Sequence, residues 1–303
     1  NLKSSILSST NKHIQFFNVL GFKVPKYAHI APFVKVDEST GNKRKLSKRK
    51  DPEAAVSFYH EKGVPVEAVM IYLATVANSN FEAWFDCNKD AKIEDFKFEF
   101  KKIGSSGGAL FDLDKLMNIS KNYLSKLTKD EIYDRVLNYS KEFDTEFYDL
   151  LVKYEDYSKS IFNIEREQKK PRKDYATYAD AKKQIWYMYD ELFDKYFENY
   201  DFGKITDKEE IKNIINTYID EYYDENDDKD TWFNKIKELS EKLGYADNMK
   251  EYKENPDAFK GNVADVSTVI RVALTSSSMT PDLYELLRLM GKDRIKERFS
   301  KLN

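Results

Sequence analysis

With 10 glycines and 7 prolines in 303 residues, the chain is too poor in turn formers for a turn-rich β protein. Its length leaves room for two or three domains with separate cores. A single cysteine, Cys87, excludes an internal disulfide and a cysteine-built zinc site, and no apolar run approaches the ~18–20 residues of a membrane-spanning helix. Nothing reads as a signal peptide, so a reducing, cytoplasmic setting is expected. The net charge of −3 argues against a general nucleic-acid binder. Charge is segregated, however, into basic clusters at 43–50 and 169–173 and an acidic run at Asp220–Asp230, and the local field decides what a site attracts.

The first predicted element is a helix over Ser8–Leu20, capped by Ser or Thr, with Ile14, Phe17 and Leu20 at steps of three and Gly21 as its stop. Tyr27–Val36 reads as extended, and Pro32 argues against a central strand. Turn residues at Asp37–Asn42 lead into GNKRKLSKRKDP (41–52), where six of the eight residues from Lys43 to Lys50 are basic. Asp51, Pro52 and Glu53 carry the marks of a helix start: an N-cap, proline at the first position and an acid in the first turn. Gly63 ends that helix. The next begins near Pro65, with Val66, Val69, Met70, Leu73 and Val76 on one apolar face. Phe96, Phe98 and Phe100 alternate with charged residues, as in a strand or an extended arm. A Gly/Ser turn at Ser105–Ala109 leads into FDLDKL (111–116), and from Lys121 onward the pattern is helical. Tyr178, Ala181, Ile185, Tyr189, Leu192 and Tyr196 mark one long amphipathic helix. Ile211–Tyr223 and Trp232–Leu243 continue the pattern. Thr280-Pro281-Asp282 opens a helix that stops at Gly291, and a short basic helix over Lys292–Leu302 follows.

The basic loop is the strongest candidate for chemistry. Lysines on a loop can follow a phosphate as charge builds during phosphoryl or nucleotidyl transfer, and a donor engaged mainly in the transition state raises rate rather than binding. Charge alone leaves other readings open: a solvated loop, a nuclear-localisation-like patch or a nonspecific RNA contact. The remaining candidates are weaker. Asp112 and Asp114 are spaced like metal ligands but have no third partner nearby, and His13, His29 and His60 are scattered. Cys87 has no base beside it. The acidic run reads as a solvated helix end that keeps RNA off that face.

The order of the motifs says more than any one of them. ILSST (6–10), VPKYAHIAPF (24–33), KLSKR (45–49), DPEAAVSFYHEKGVPVEAVMIYLA (51–74), FDLDKL (111–116) and RVALTSSSMTPDLYELLRLMGKDRIKERF (271–299) together resemble the class I glutamyl-tRNA synthetases of bacterial type. The resemblance spans nearly the whole chain; IYLATVANSNFEAWF (71–85) departs from it mildly. It implies a mainly α fold: the tail of a Rossmann-type catalytic domain with the KLSKR loop at 1–50, an α-rich stem-contact domain at 51–160, and an all-helical anticodon-binding domain at 161–303. FDLDKL becomes a structural turn.

By the same resemblance Lys48 contacts the ATP phosphates, while Lys45, Ser47 and Arg49 shape and assist the loop. His29, where the strand runs into the loop, is read as packing or loop support ahead of ligand contact. Arg271, whose guanidinium offers planar, bidentate geometry, is the candidate reader of an anticodon base. Lys169, Lys170, Arg172 and Lys173 are candidates for phosphate contacts that steer without reading sequence, a solvated linker being the alternative. The implied partners are ATP with Mg2+, L-glutamate and tRNA-Glu, with tRNA-Gln left open; no metal bound by the protein is expected, and a monomer is. The family's HIGH motif and glutamate-binding residues are not among these 303 residues. The chain therefore reads as the C-terminal piece of a glutamate-activating enzyme, inactive alone. Its rival is a non-catalytic helical RNA-binding or scaffold protein of the same fold.

Overall fold

The computed structural model describes residues 2–27, 32–37, 39–88, 91–103 and 108–302. The chain divides into two compact units: Asn1–Lys126 with Lys173–Asp180, and Leu127–Arg172 with Ala181–Asn303.

In the first unit α1 (Leu2–Val19) ends at Gly21, whose φ of +72° only glycine adopts freely. β1 (Phe33–Val36) turns through Asp37–Asn42 into an antiparallel β2 (Lys43–Lys45), with Val34 opposite Lys45 and Lys35 opposite Arg44. The first half of the basic stretch is thus strand rather than loop. After it come a 3₁₀ turn at Pro52–Ala54, α2 (Val56–Glu61), α3 (Val66–Ala77), α4 (Phe81–Cys87), β3 (Ala109–Leu110) parallel to β1, and α5 (Leu113–Lys126). Gly108, at φ +85°, lies where an added Cβ would come within 2.5 Å of Val34 Cγ1, so this approach to the sheet needs glycine.

Three expectations for this unit change. Asp51 caps no helix; Pro52–Ala54 is a single 3₁₀ turn and α2 begins only at Val56. The buried face of α3 is Ala68, Ile71 and Tyr72, whereas Val66, Met70 and Leu73 are exposed. Tyr72 decides this orientation: its ring stacks on Phe33 at 6.3 Å, and its hydroxyl accepts from the Asp112 backbone N–H at 2.7 Å. Phe96–Phe100 forms no strand. Phe96 is drawn edge-on against Phe81 at 5.0 Å and beside Trp84 at 5.1 Å, and 3₁₀ turns flank the segment.

The second unit is helical among its described residues. α6 (Lys129–Phe143) opens with a Thr128/Glu131 capping box, followed by α7 (Thr145–Lys153) and α8 (Glu155–Asn163). α9 (Ala179–Ile185), in this unit from Ala181 onward, and α10 (Asp190–Tyr196) come next. α11 (Lys208–Thr217) runs into a π turn at Tyr218–Tyr222, and α12 (Lys229–Lys242), α13 (Met249–Glu254) and α14 (Val263–Thr275) continue the unit. α15 (Leu283–Ser300) starts from an Asp282 cap and breaks at Gly291, where φ is 73° and ψ 164°. That break separates the two last helices expected from the sequence.

The long helix expected over 178–196 is two helices. Trp186–Met188 tightens to 3₁₀ and Tyr189 is extended before α10 begins. Tyr187, Met188 and Tyr189 are all buried, and three consecutive side chains cannot share one face of an α-helix. The Met188 carbonyl released by the break accepts from Tyr157 Oη at 3.0 Å and Arg294 Nη1 at 3.3 Å. Asp190, first residue of α10, then binds Arg298 at 2.5 Å and Arg294 at 2.9 Å. Arg298 is 1% exposed and its guanidinium lies 3.3 Å from the Phe193 ring centroid. Burial pulls its pKa down, and the Asp190 charge acts against that shift. Removing Asp190 would leave this buried cation without its counter-charge. Asp190→Ala is expected to cost about 2–4 kcal/mol of stability in urea unfolding, whereas Arg298→Met should cost clearly less because the charge leaves with its partner.

Candidate functional site

Charge in the first unit converges on one carboxylate. Asp51 is 2% exposed, and its two oxygens accept from Arg44 Nη1 at 2.6 Å and Nη2 at 2.8 Å. One of them also accepts the Ser47 backbone N–H at 2.8 Å. Arg44 Nε reaches Asp37 at 3.0 Å, so the guanidinium bridges the start of the hairpin and the residue that closes the loop. Lys35, opposite Arg44 across the strands, pairs with Glu53 at 2.6 Å. The Ser47 carbonyl accepts from Lys50 N at 3.0 Å and Asp51 N at 2.8 Å, which folds Ser47–Asp51 into a closed turn.

This arrangement sorts the basic residues by role. Arg44 is structural, held by two acids. Ser47 is half-buried, its backbone committed to Asp51. Lys45, Lys48 and Arg49 are exposed, and Lys48 and Arg49 make no ion pair with another described residue. A fixed root with two cations at the tip of its turn can present positive charge to a phosphate without first breaking internal pairs. His29 lies outside the described residues.

In the second unit two sequence-distant candidates meet at one turn. Arg271, half-buried on α14, donates through Nη1 to Thr280 Oγ1 and to the Pro281 carbonyl at 2.7 Å. Arg172 Nη1 donates to the Thr280 carbonyl at 3.0 Å and to Glu165 at 3.2 Å. Glu165 also accepts the Asp282 N–H at 3.1 Å, from a backbone at φ 54°. Burial lowers the Arg271 pKa, with the Asp282 charge acting against it. Lys169 and Lys170 are exposed in the segment after α8; Lys173, also exposed, belongs to the first unit.

The same helical unit carries an open cleft of about 540 Å³ lined by Lys182, Lys183, Trp186, Tyr196, Asn199 and Ser276, among others. Trp186 stacks on Phe193 with ring centroids 5.8 Å apart and planes at 19°, which holds the indole in place at the cleft wall. Lys182 is tied to Asp144 and Glu146, each at 2.9 Å. Burial opposes its charge, and these acids more than restore it. Ser276 takes the left-handed conformation at φ 57° as it closes α14, and its hydroxyl donates to the Asn199 carbonyl at 2.6 Å. A flat ring at the wall with amide and hydroxyl groups at the rim suits an unstacked nucleobase, while Glu198 in the lining and the acids on Lys182 leave the cleft without a net positive charge for its phosphate. The sequence reading did not single out this cleft. Its one local signal is Lys182 and Lys183 set four and three residues before Trp186, which places all three on one helical turn.

Residues 146–302 match the Anticodon binding domain family. The chain belongs to that family. It is also 48% identical to the glutamate–tRNA ligase of Clostridium perfringens over 97% of its own length and 53% of that protein. The enzyme of the same name from Clostridium beijerinckii is 43% identical, with the same two shares covered. The chain thus spans about half the length of the curated relatives it matches and corresponds to their C-terminal portion. Its fold is that of the glutamate–tRNA synthetase from Elizabethkingia anophelis, with a TM-score of 0.62 at 16% identity, covering 98% of this chain and 54% of that one.

The clamp makes a direct prediction. Arg44 holds the Asp51 carboxyl down to about 2 from its ordinary 3.8, the Ser47 N–H adding to the effect against the cost of burial. A depressed folded-state pKa contributes stability above the ordinary value that is lost as pH falls through the folded one, here between about 4 and 2. Arg44→Met should return the Asp51 titration midpoint, followed by carboxyl carbon NMR, upward by about 1–2 units. An unchanged midpoint would show that the guanidinium does not set it.

Proposed function

We propose that this chain is the tRNA-facing C-terminal half of a glutamate–tRNA ligase, and that it supplies the ATP-closing loop to a catalytic site completed elsewhere in that enzyme. The observation that carries the reading is the 48% identity to such a ligase over 97% of the chain. In the intact enzyme the glutamate carboxylate would attack the ATP α-phosphate and release pyrophosphate, and a hydroxyl of the tRNA's terminal adenosine would then take the glutamyl group from the resulting adenylate, with AMP leaving. Lys48, with Arg49 beside it, would meet the phosphate charge that builds in the first step; Lys45 and Ser47 would shape the turn that presents them.

No group of three His, Cys, Asp or Glu among the described residues is arranged to hold a metal ion; Mg2+ would arrive with ATP. No helix of the described residues is long and apolar enough to cross a membrane. We propose a cytoplasmic, monomeric enzyme. The first unit would bear on ATP and the tRNA stem. The helical unit would hold the anticodon, with Arg271 reading a base, the Trp186 cleft taking an unstacked one, and Lys169, Lys170 and Arg172 meeting phosphates; Lys173, in the first unit, would meet a phosphate as well.

The reading is tested by binding of this chain to tRNA-Glu, tRNA-Gln and anticodon variants of each across a salt series. Trp186→Ala should weaken tRNA-Glu binding about tenfold, as expected for loss of one stacked base, and Arg271→Ala should narrow the gap between correct and altered anticodons. A wholly salt-driven affinity, indifferent to anticodon and to both substitutions, would favour a nonspecific RNA-binding scaffold instead. Equal binding of tRNA-Gln would mark an enzyme that does not discriminate between the two.

A second measurement isolates the loop. In the full-length ligase Lys48→Ala should slow ATP–pyrophosphate exchange on the order of 100-fold, the scale of one lost transition-state donor, while tRNA affinity stays unchanged. This chain alone should show no exchange.

A further inference from the structure

Among the described residues only two that are not glycine take a positive φ, Glu165 at 54° and Ser276 at 57°. A left-handed backbone is strained for a residue with a Cβ, and such strain persists only where surrounding contacts impose it. The two are far apart in sequence, yet both act on one loop, 276–282. Ser276 opens it by closing α14 and donating to the Asn199 carbonyl at 2.6 Å. Glu165 holds the far end. Its carboxylate accepts the Asp282 N–H at 3.1 Å and Arg172 Nη1 at 3.2 Å, and its own carbonyl accepts the Arg172 N–H at 2.9 Å. Arg172, fixed in this way, donates to the Thr280 carbonyl at 3.0 Å. Between the ends the loop is bonded to itself: Thr275 Oγ1 donates to the Ser277 carbonyl at 3.0 Å, and Met279 N donates to Ser277 Oγ at 3.2 Å. Met279, at the crest, is 81% exposed, so the loop is anchored below and open to a partner above.

We infer that Glu165 is a positioning residue for tRNA discrimination: it fixes the 276–282 loop through Asp282 and Arg172, the loop fixes Arg271, and Arg271 meets the base. Glu165 itself touches no tRNA in this scheme. Arg271 is suited to such control. Its Nη1 is anchored on Thr280 Oγ1 and the Pro281 carbonyl, whereas Nε and Nη2, the side of a guanidinium that forms a two-pronged fork, make no hydrogen bond to a described residue. The direction of the free fork therefore follows the loop. Charge requires an acid here as well. Burial does most to lower the Arg271 pKa, and among its charged neighbours Arg172 lowers it further while Asp282 and Glu165 raise it. The Glu165 carboxylate thus lets two guanidiniums share one turn. Backbone stability alone would favour glycine at position 165, because glycine adopts this conformation without strain. A glutamate kept there against that preference is explained by what its carboxylate holds.

This inference rests on the reading of Arg271 given above, and the experiment separates the two. Glu165→Gly, Glu165→Gln, Arg271→Ala and the double variant Glu165→Gly/Arg271→Ala are each compared with the unsubstituted chain. The readouts are melting temperature, hydrogen exchange of the Asp282 amide, and affinity for tRNA-Glu carrying its own or an altered anticodon. Glu165→Gly removes the carboxylate but relieves the backbone, so its melting temperature should stay within about 4 °C of the original. Its Asp282 amide should exchange about tenfold faster, and its preference for the correct anticodon should narrow about tenfold. Glu165→Gln keeps an acceptor for Asp282 without the charge that holds Arg172, and should recover part of that preference. The double variant should discriminate no less well than Arg271→Ala alone, because both changes act on one chain of contacts. Unchanged Asp282 exchange in Glu165→Gly would overturn the inference. So would an intact anticodon preference in that variant: if Arg271→Ala does lose preference, only the role of Glu165 falls, and if Arg271→Ala keeps it too, the anticodon reading falls as well. Equal weakening for every anticodon would assign Glu165 to folding or to a phosphate contact through Arg172, and would equally overturn the inference.

Discussion

The first unit depends on a buried carboxylate and the guanidinium that reaches it. Taking Asp51 out of water costs several kcal/mol, and only good geometry offsets that. Two parallel hydrogen bonds from Arg44 and a third from the Ser47 N–H engage both of its oxygens, all charge-assisted and all at 2.6–2.8 Å. Glu53 does the same for Lys35 one strand over. The two acids that follow the basic stretch are thus the counter-charges of the hairpin that precedes it. The consequence is a gradient: charge at the root is neutralised and fixed, and charge at the tip, on Lys48 and Arg49, is left for something outside.

The helical unit solves a similar problem in another way. Interrupting the helix at Trp186–Tyr189 frees backbone groups in a place where three bulky side chains must be buried, and an unpaired buried carbonyl would cost about 1–3 kcal/mol. Tyr157 and Arg294 supply donors to Met188, and Asp190, now first in a new helix, gains the freedom to pair with Arg294 and Arg298. The break also sets Trp186 at the turn, where its ring stacks on Phe193 and walls the cleft. A continuous helix would have followed the sequence period and placed that indole differently.

How much of this was legible in the sequence can be argued from matched pairs of elements. Thr280-Pro281-Asp282 and Asp51-Pro52-Glu53 carry similar local start signals. The first opens a helix with Asp282 accepting from Glu285 N; the second does not, because Arg44 claims the carboxylate and a tertiary ion pair outweighs a cap worth about 1 kcal/mol. Gly21, Gly41 and Gly291 were readable as stops and turns because positive φ is a local property. The buried side of α3 was not, since it is chosen by where Tyr72 finds a partner forty residues away. Lys48 and Arg49 stood out because their neighbours are basic. The cleft did not, because its walls come from residues 182–199 and 276 and only folding joins them.

The same contrast bears on how a chain of this kind divides its labour. At the loop, exposed cations would, on the proposed reading, act on a charge that develops only in a transition state, and their effect would appear in rate. At the Thr280–Asp282 turn Arg271 and Arg172 are already bonded to the backbone they support, so their guanidiniums are held in a fixed geometry before any partner arrives. Electrostatics at the loop and preorganisation at the turn are different uses of arginine and lysine, and the difference follows from which of them is already satisfied by the fold. A net charge near zero is compatible with both. Neither device needs a broad basic surface, and the acids that bring the total to −3 include the ones that hold Arg44, Arg172 and Arg298 in place.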